Sequence, residues 1–273
     1  LCDDKLILLI GHKEQSMAYS EKQLQDFSHK LSNASLGLQN LILKTVIAGQ
    51  DTNDQDVREH LLHGASRRLS VIKKAIENIF EIFPPMTERP LDRDALCDVQ
   101  INLHAYVTNI SGIFDNWAWS FVYKHNLLED VGGKNRVGLF RSSTTKFLPT
   151  VLRDYLSSDT LTNWQQEYLK EYRDALAHRI PLYIPPAEFT AEESALFATL
   201  ENQKLDLINT MSWEELEKVY EEQDSIGKPS FVFLHSYENG PPAHVLFHPQ
   251  VLCDVLTIIE FGTLFMEHWD EMA

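Results

Sequence analysis

One short segment of the sequence combines residue types that can cleave a phosphodiester bond without a metal ion. Arg173 and His178 lie five positions apart. Asp174 and His178 lie four apart, a spacing that places them on one face of a helix. Arginine binds phosphate through two parallel hydrogen bonds, and histidine exchanges a proton near neutral pH. The segment therefore predicts acid–base catalysis by His178, with Arg173 stabilising charge on the phosphate and Asp174 orienting the imidazole.

The pattern around this segment predicts the helix that positions it. Between residues 160 and 179, large apolar residues recur every three or four positions, which is typical of a helix with one buried face. Asp159 or Thr160 can cap its start, and Ile180-Pro181 ends it. His178 then lies in the last turn, where the helix dipole favours a positively charged imidazole. The predicted buried face consists of Leu161, Trp164, Tyr168, Leu169, Tyr172 and Leu176.

The rest of the chain also predicts a mainly α fold, an up-and-down helical bundle with a small β-hairpin near residues 231–247. The crowded aromatic residues between Trp117 and Tyr123 predict a packed core, because apolar residues cover almost the whole helix there. Residues 1–185 are expected to form the bundle. Residues 186–273 are expected to form an extension in which the hairpin and the C-terminal helix pack on the bundle, unless the chain is one continuous domain. Further helices are predicted over residues 21–48, 57–83, 91–128, 146–157, 190–209, 212–224 and 249–270.

Charge and cysteine content restrict the classes of function. A net charge of −16 argues for solubility and against general binding to nucleic acid or anionic membranes, so binding to RNA would need a local basic patch. Cys2, Cys97 and Cys253 are far apart and form no CxxC pair, which predicts thiols in a reducing cytosol. The apolar run at residues 6–10 is too short to cross a membrane. We therefore expect a cytoplasmic protein without a membrane partner.

The segment Tyr172-Arg173-Asp174-Ala175-Leu176-Ala177-His178-Arg179 resembles the motif of the HEPN superfamily, the higher eukaryotes and prokaryotes nucleotide-binding domains. These helical bundles carry Arg-x4–6-His in a late helix, with Asn, Asp or His after the arginine. The resemblance covers the motif helix and, by architecture alone, residues 20–180. It implies a metal-independent endoribonuclease without a cofactor, in a defence or stress role, whose site forms where the motif helices of a homodimer meet. Arg173, Asp174 and His178 would be its catalytic residues.

The same helix supplies the candidate residues for binding the RNA substrate, Lys170 and Arg179. Glu167 and Glu171 share its polar side and would repel RNA phosphates. A second Arg-x4-His, from Arg58 to His63, is interpreted as a coincidence. Some members of the superfamily are inactive scaffolds. The alternative function is therefore a non-catalytic helical module that binds a protein partner through the acidic surface or the hairpin edge.

Three histidines near the predicted hairpin raise the question of a metal site. His235, His244 and His248 are close in sequence. On a strand, however, His244 and His248 would lie about 13 Å apart, too far to share one ion. We therefore predict no metal site and no cofactor.

Overall fold

The computed structural model describes residues 19–235 and 243–273, and the fold is mainly α-helical with one small antiparallel hairpin, as predicted. Residues 236–242 of the predicted hairpin and the apolar run at residues 6–10 lie outside the described residues. In chain order the elements are α1 (Glu21–Asp51), α2 (Gln55–Arg58), α3 (Ser66–Ile82), α4 (Arg93–Lys124), α5 (Ser142–Thr145), α6 (Thr150–Leu156), α7 (Asp159–Asn163), α8 (Lys170–His178), α9 (Ala191–Asn209), α10 (Trp213–Asp224), β1 (Val232–His235), β2 (Ala243–Leu246) and α11 (Phe247–Glu267). Two π-helical segments, Glu59–Ala65 and Trp164–Leu169, join α2 to α3 and α7 to α8 without a break.

Helices α1, α3 and α4 pack side by side and alternate in direction, as an up-and-down bundle requires. Arg68, near the start of α3, bonds to Asn116 far along α4, whereas Asn78, near the end of α3, bonds to Asn102. The periodic apolar stripe of α3 causes this packing, since its members are fully buried between the two neighbours. Helix α1 is also antiparallel to α3. Ser35 contacts Glu77 late in α3, and Gly49, further along α1, lies against Leu62 just before α3 begins.

The fourth core helix, α11, departs from this alternation because it runs parallel to α4. Tyr106 donates a hydrogen bond to the carbonyl of Val251 early in both helices, and Trp117 packs against Phe265 further along both. The long connection between α4 and α11 allows this direction, because the chain returns to the end of the bundle at which α4 began. The packing is close, since a Cβ on Gly262 would lie 2.8 Å from the Trp117 ring.

The aromatic residues of α4 divide between two environments. Trp117 and Phe121 are fully buried, so the predicted packed core is confirmed for them. Trp119 and Tyr123 are only half-buried and stack with His60 from the π-helical segment before α3. The core prediction is confirmed only in part for this second pair, which packs partly buried against the edge of the same core.

Residues on both sides of the predicted boundary at residue 185 belong to one apolar core. Phe233 and Phe247, after residue 185, belong to the same buried cluster as Trp117 and Tyr172 before it. The pair α9–α10 has its own small cluster of Leu200, Val219 and Ile226. The division at residue 185 stays a prediction.

Helix α11 has the length and the mean hydropathy, 1.4, of a helix that could cross a membrane. It packs as a core helix here, with Phe261 and Phe265 against Trp117 and with His248 and Asp254 buried. Because the core helix of a bundle meets the same criteria, composition alone does not make α11 a membrane span.

The cysteines differ from the prediction of free thiols. Cys97 is an exposed free thiol on α4, as expected. Cys253 on α11 is disulfide-bonded, so the prediction is wrong at this position. Cysteine usage therefore no longer supports a reducing compartment, and the cytoplasmic location stays a prediction.

Candidate functional site

The helix that carries the predicted catalytic residues is short and is anchored by one face. Helix α8 follows a π-helical segment and ends at His178, so the predicted position of His178 in the last turn is confirmed. Tyr172 and Ala175 are buried, and the Tyr172 ring packs edge-on against Phe233 with 5.4 Å between the centroids. This anchoring leaves Arg173 and His178 exposed at the surface, where a large substrate could reach them.

The Asp174 carboxylate is paired with Arg173. The Nε and Nη2 atoms of Arg173 donate to Oδ1 of Asp174 at 3.0 and 2.6 Å. In the described part of the chain, no hydrogen bond or ion pair joins Asp174 to His178. Asp174 therefore partly neutralises Arg173, and the predicted contact that would orient the imidazole is absent from this arrangement.

The two candidate substrate-binding residues have different surroundings. The Nη2 atom of Arg179 donates to Oε2 of Glu171 at 2.8 Å and to its backbone carbonyl at 3.3 Å. This ion pair is only about one quarter exposed, and Arg179 is held at the end of α8 by it. Lys170 is exposed and takes part in no ion pair among the described residues. Of the two, Lys170 is the cation that a phosphate can approach without displacing a carboxylate.

Arg173 belongs to a group of arginines around one carboxylate of α4. Partial desolvation raises the pKa of Asp115, while the positive charges of Arg173, Arg68 and Arg141 act in the opposite direction. These three arginines come from α8, from α3 and from the segment before α5. The acidic chain thus brings three arginines together beside α8, with Asp115 and Asp174 offsetting part of their charge, and RNA binding would need a local excess of positive charge of this kind. The sequence did not reveal this patch, because its members are far apart along the chain.

A cleft of about 550 Å3 lies between α4 on one side and α3 with the π-helical segment that precedes it on the other. His63, the histidine of the second Arg-x4-His, lies in its wall beside Arg67 and Arg68. Arg58 of that same match is not among the lining residues. The available sequence signals were the isolated glycines Gly64 and Gly112 inside helical patterns, which often mark close packing or a functional position.

The three histidines near the hairpin do not form a shared site. The Nε2 atom of His248 donates to the Phe83 carbonyl at 2.7 Å, which leaves Nδ1 to accept from the Tyr19 hydroxyl at 3.3 Å. Burial lowers the pKa of His248 to about 4, so its imidazole is neutral. His244, in contrast, is exposed. Among residues 19–235 and 243–273, no group of three or more potential ligand side chains is placed to hold a metal ion.

Comparison of the chain with protein-family profiles, with curated protein sequences and with solved structures finds no match. The HEPN resemblance therefore stays a prediction from the motif. Any function proposed for the chain has to be argued from the residues themselves.

Proposed function

We propose that the chain is a metal-independent endoribonuclease of the HEPN type, with its site at the Arg173–His178 end of α8. The observations that support the proposal are the exposure of Arg173 and His178 and the place of Arg173 among the arginines that act on Asp115. In a chain with a net charge of −16, a group of arginines is the kind of surface that suits a phosphodiester.

The helix geometry favours a site built from two copies of α8. Each residue of an α-helix turns the side chain by about 100°, so Arg173 and His178 point roughly 140° apart. Two antiparallel copies of the helix would place Arg173 of one copy near His178 of the other. This is the homodimer that the motif predicts, and its two-fold symmetry would supply two histidines to one scissile bond.

Two histidines match the two proton transfers of the reaction. One His178 takes the proton from a ribose 2′-hydroxyl, and the 2′-oxygen attacks the adjacent phosphorus. The bond from phosphorus to the 5′-oxygen breaks, and the second His178 gives that oxygen a proton. Arg173 stabilises the negative charge that builds up on the non-bridging oxygens. The products are a 2′,3′-cyclic phosphate and a free 5′-hydroxyl.

The Arg173–Asp174 pair sets a condition on this mechanism. A phosphate can accept both guanidinium hydrogen bonds only after the Asp174 carboxylate has released them. Asp174→Asn should therefore lower KM for RNA and leave kcat little changed. If Asp174 instead orients His178, the same substitution should lower kcat.

The direct test is cleavage of a single-stranded RNA in the presence of a metal chelator. We expect wild type to cleave it, and His178→Ala to lose activity on the order of 10²- to 10⁴-fold, the usual contribution of acid–base catalysis. His29→Ala is the matched control, because His29 is an exposed histidine on α1, far along the chain from the site. Equal cleavage by wild type and His178→Ala, or no cleavage by either protein, would refute the proposed endoribonuclease activity at His178.

The second candidate is a non-catalytic module that binds a protein partner, and one observation favours it. Large apolar side chains are exposed where α9 meets α10, and Met211 and Trp213 are 74 % and 61 % exposed. Contiguous exposed apolar residues of this kind mark protein-binding surfaces. Absence of cleavage by the wild type would leave this surface as the better-supported site.

A further inference from the structure

The cleft beside α3 and α4 has the size of a site for one small molecule. Its volume of about 550 Å3 lies within the range of roughly 300–1,000 Å3 that is usual for ligand sites. Its walls carry Arg67, Arg68, His60 and His63 from the α3 side and two asparagines from α4. Glu59 is the acidic residue among those that line it. The cleft therefore brings arginine, histidine and asparagine side chains together on one concave surface.

The guanidinium of Arg68 is held in place without being neutralised. Its Nε donates to Oδ1 of Asn116 at 2.8 Å, and its Nη1 donates to Oδ1 of Asn109 at 3.2 Å. Both acceptors are uncharged amides. Among the described residues no carboxylate lies within ion-pair distance of Arg68. The asparagines thus orient a half-buried cation and leave its charge available to an anion.

Two glycines make room for this arrangement. A Cβ on Gly112 of α4 would overlap the guanidinium of Arg68, and a Cβ on Gly64 would overlap the side-chain amide of Asn116. Glycine within a helix is unfavourable relative to alanine. The two helices therefore carry glycine at the two positions where a side chain would push Arg68 or Asn116 out of the cleft.

The π-helical segment Glu59–Ala65 forms the edge of the same cleft and carries both of its histidines. Single π-helical turns within α-helices occur frequently at functional sites. Asn116 Nδ2 donates to Nδ1 of His60 at 3.4 Å, so the His60 proton is on Nε2. Burial lowers the pKa of His60, while Glu59 and Asp56 oppose the change. His60 is thus a neutral hydrogen-bond donor at neutral pH.

We propose that this cleft binds the phosphate monoester group of a small molecule. Arg68 is the anchor, Arg67 adds a second positive charge at the mouth of the cleft, and His63 offers a further hydrogen bond to the phosphate oxygens. Glu59 and Asp56 act on the histidine side of the cleft and limit its positive charge, which suits one phosphate better than a polyanion. Glu59 on the wall would likewise repel the successive phosphates of an RNA strand. The proposal does not depend on catalysis at His178.

The test is binding of inorganic phosphate and of adenosine 5′-monophosphate to the intact chain, by calorimetry and by thermal shift. A single-stranded oligoribonucleotide without terminal phosphates is the third probe. We expect both phosphates to bind and to raise Tm. Arg68→Gln should weaken this binding on the order of 10-fold or more, because it removes charged hydrogen bonds. Arg89→Gln is the matched control, since Arg89 is exposed and outside the cleft, and it should bind normally.

Two further variants keep the proposal testable if Arg68→Gln is poorly folded. Gly112→Ala retains every charge but displaces the Arg68 guanidinium, so it should also weaken phosphate binding. The double variant Arg67→Gln/His63→Asn changes two exposed residues, so it should weaken phosphate binding without unfolding the bundle. Failure of the folded wild type to bind either phosphate would overturn the proposal. So would equal binding by Arg68→Gln, or displacement of adenosine 5′-monophosphate by the oligoribonucleotide, which is expected to bind at α8 and not in the cleft. His178→Ala should still bind phosphate, which separates this test from the cleavage assay.

Discussion

Asp254 on α11 offers a prediction about how stability depends on pH. Its side chain is 6 % exposed, and Oδ1 accepts hydrogen bonds from Nε1 of Trp164 and Nε2 of Gln250, both at 2.7 Å. Burial raises the pKa of Asp254 to about 7, and the two hydrogen bonds only partly oppose this effect. Near neutral pH the folded chain thus holds a proton that an aspartate in water would have lost.

The sign and the size of the effect follow from this difference. In the unfolded chain the carboxyl ionises with a pKa of about 3.9. Between about pH 4 and pH 7 the folded state binds one more proton than the unfolded state, so the free energy of unfolding falls as pH rises. The stabilisation is fully present below about pH 4 and is lost as pH passes through 7. At 1.36 kcal/mol for each pKa unit, it amounts to about 4 kcal/mol.

The substitution Asp254→Asn removes this proton equilibrium and keeps an acceptor oxygen for Trp164 and Gln250. Urea unfolding at several values between about pH 4 and pH 8 would measure the free energies of both proteins. From about pH 4 to pH 8, we expect the free energy of unfolding of the variant to rise by about 4 kcal/mol relative to that of the wild type. Asp206→Asn is the control, because Asp206 is exposed on α9 and its substitution should give a constant difference. A constant difference for Asp254→Asn would show that its carboxyl is ionised inside the bundle, and would refute the reasoning.

Three further predictions concern the same core. Burial lowers the pKa of His248 to about 4, so the stability it contributes is present above about pH 6.5 and is lost as pH falls. In the same urea titration, His248→Gln should make the free energy of unfolding depend less on pH in this acidic range. Gly262→Ala should cost about 1–3 kcal/mol in thermal unfolding, because its Cβ would lie 2.6 Å from Cδ2 of Leu41; an unchanged Tm would show that the helices can separate freely. Trp164→Phe should destabilise the fold by about 1–2 kcal/mol at pH 8, where Asp254 is ionised, and by less at pH 5.

Local signals account for the parts of the fold that the sequence predicted. Leu69, Ile72 and Ile76 recur at helical spacing and are fully buried on α3. Pro181 follows the end of the motif helix, which stops at His178. Such features depend on neighbours within a turn or two, so the sequence carries them directly.

The candidate sites depend on contacts that the sequence does not carry in this way. Arg68 and Asn116 meet only because α3 and α4 pack antiparallel, and no pattern of spacing predicts their register. The pairing of Asp174 with Arg173 rather than with the predicted partner His178 depends on side-chain conformations between neighbours on one helix. The cleft was missed for the same reason, although its glycines were visible as isolated breaks in helical patterns.

The parallel position of α11 has a consequence for how the chain is made. Lys44 of α1 and Glu267 of α11 are in contact although they lie 223 positions apart. At about 5–20 residues per second, the ribosome would take on the order of ten to fifty seconds to supply α11 after α1 has emerged. During that interval the apolar faces of α1 and α4 lack their final neighbour and are open to aggregation or to chaperones. The bundle therefore closes late, only after α11 has been synthesised, and shortened chains without α11 should be retained by chaperones or degraded.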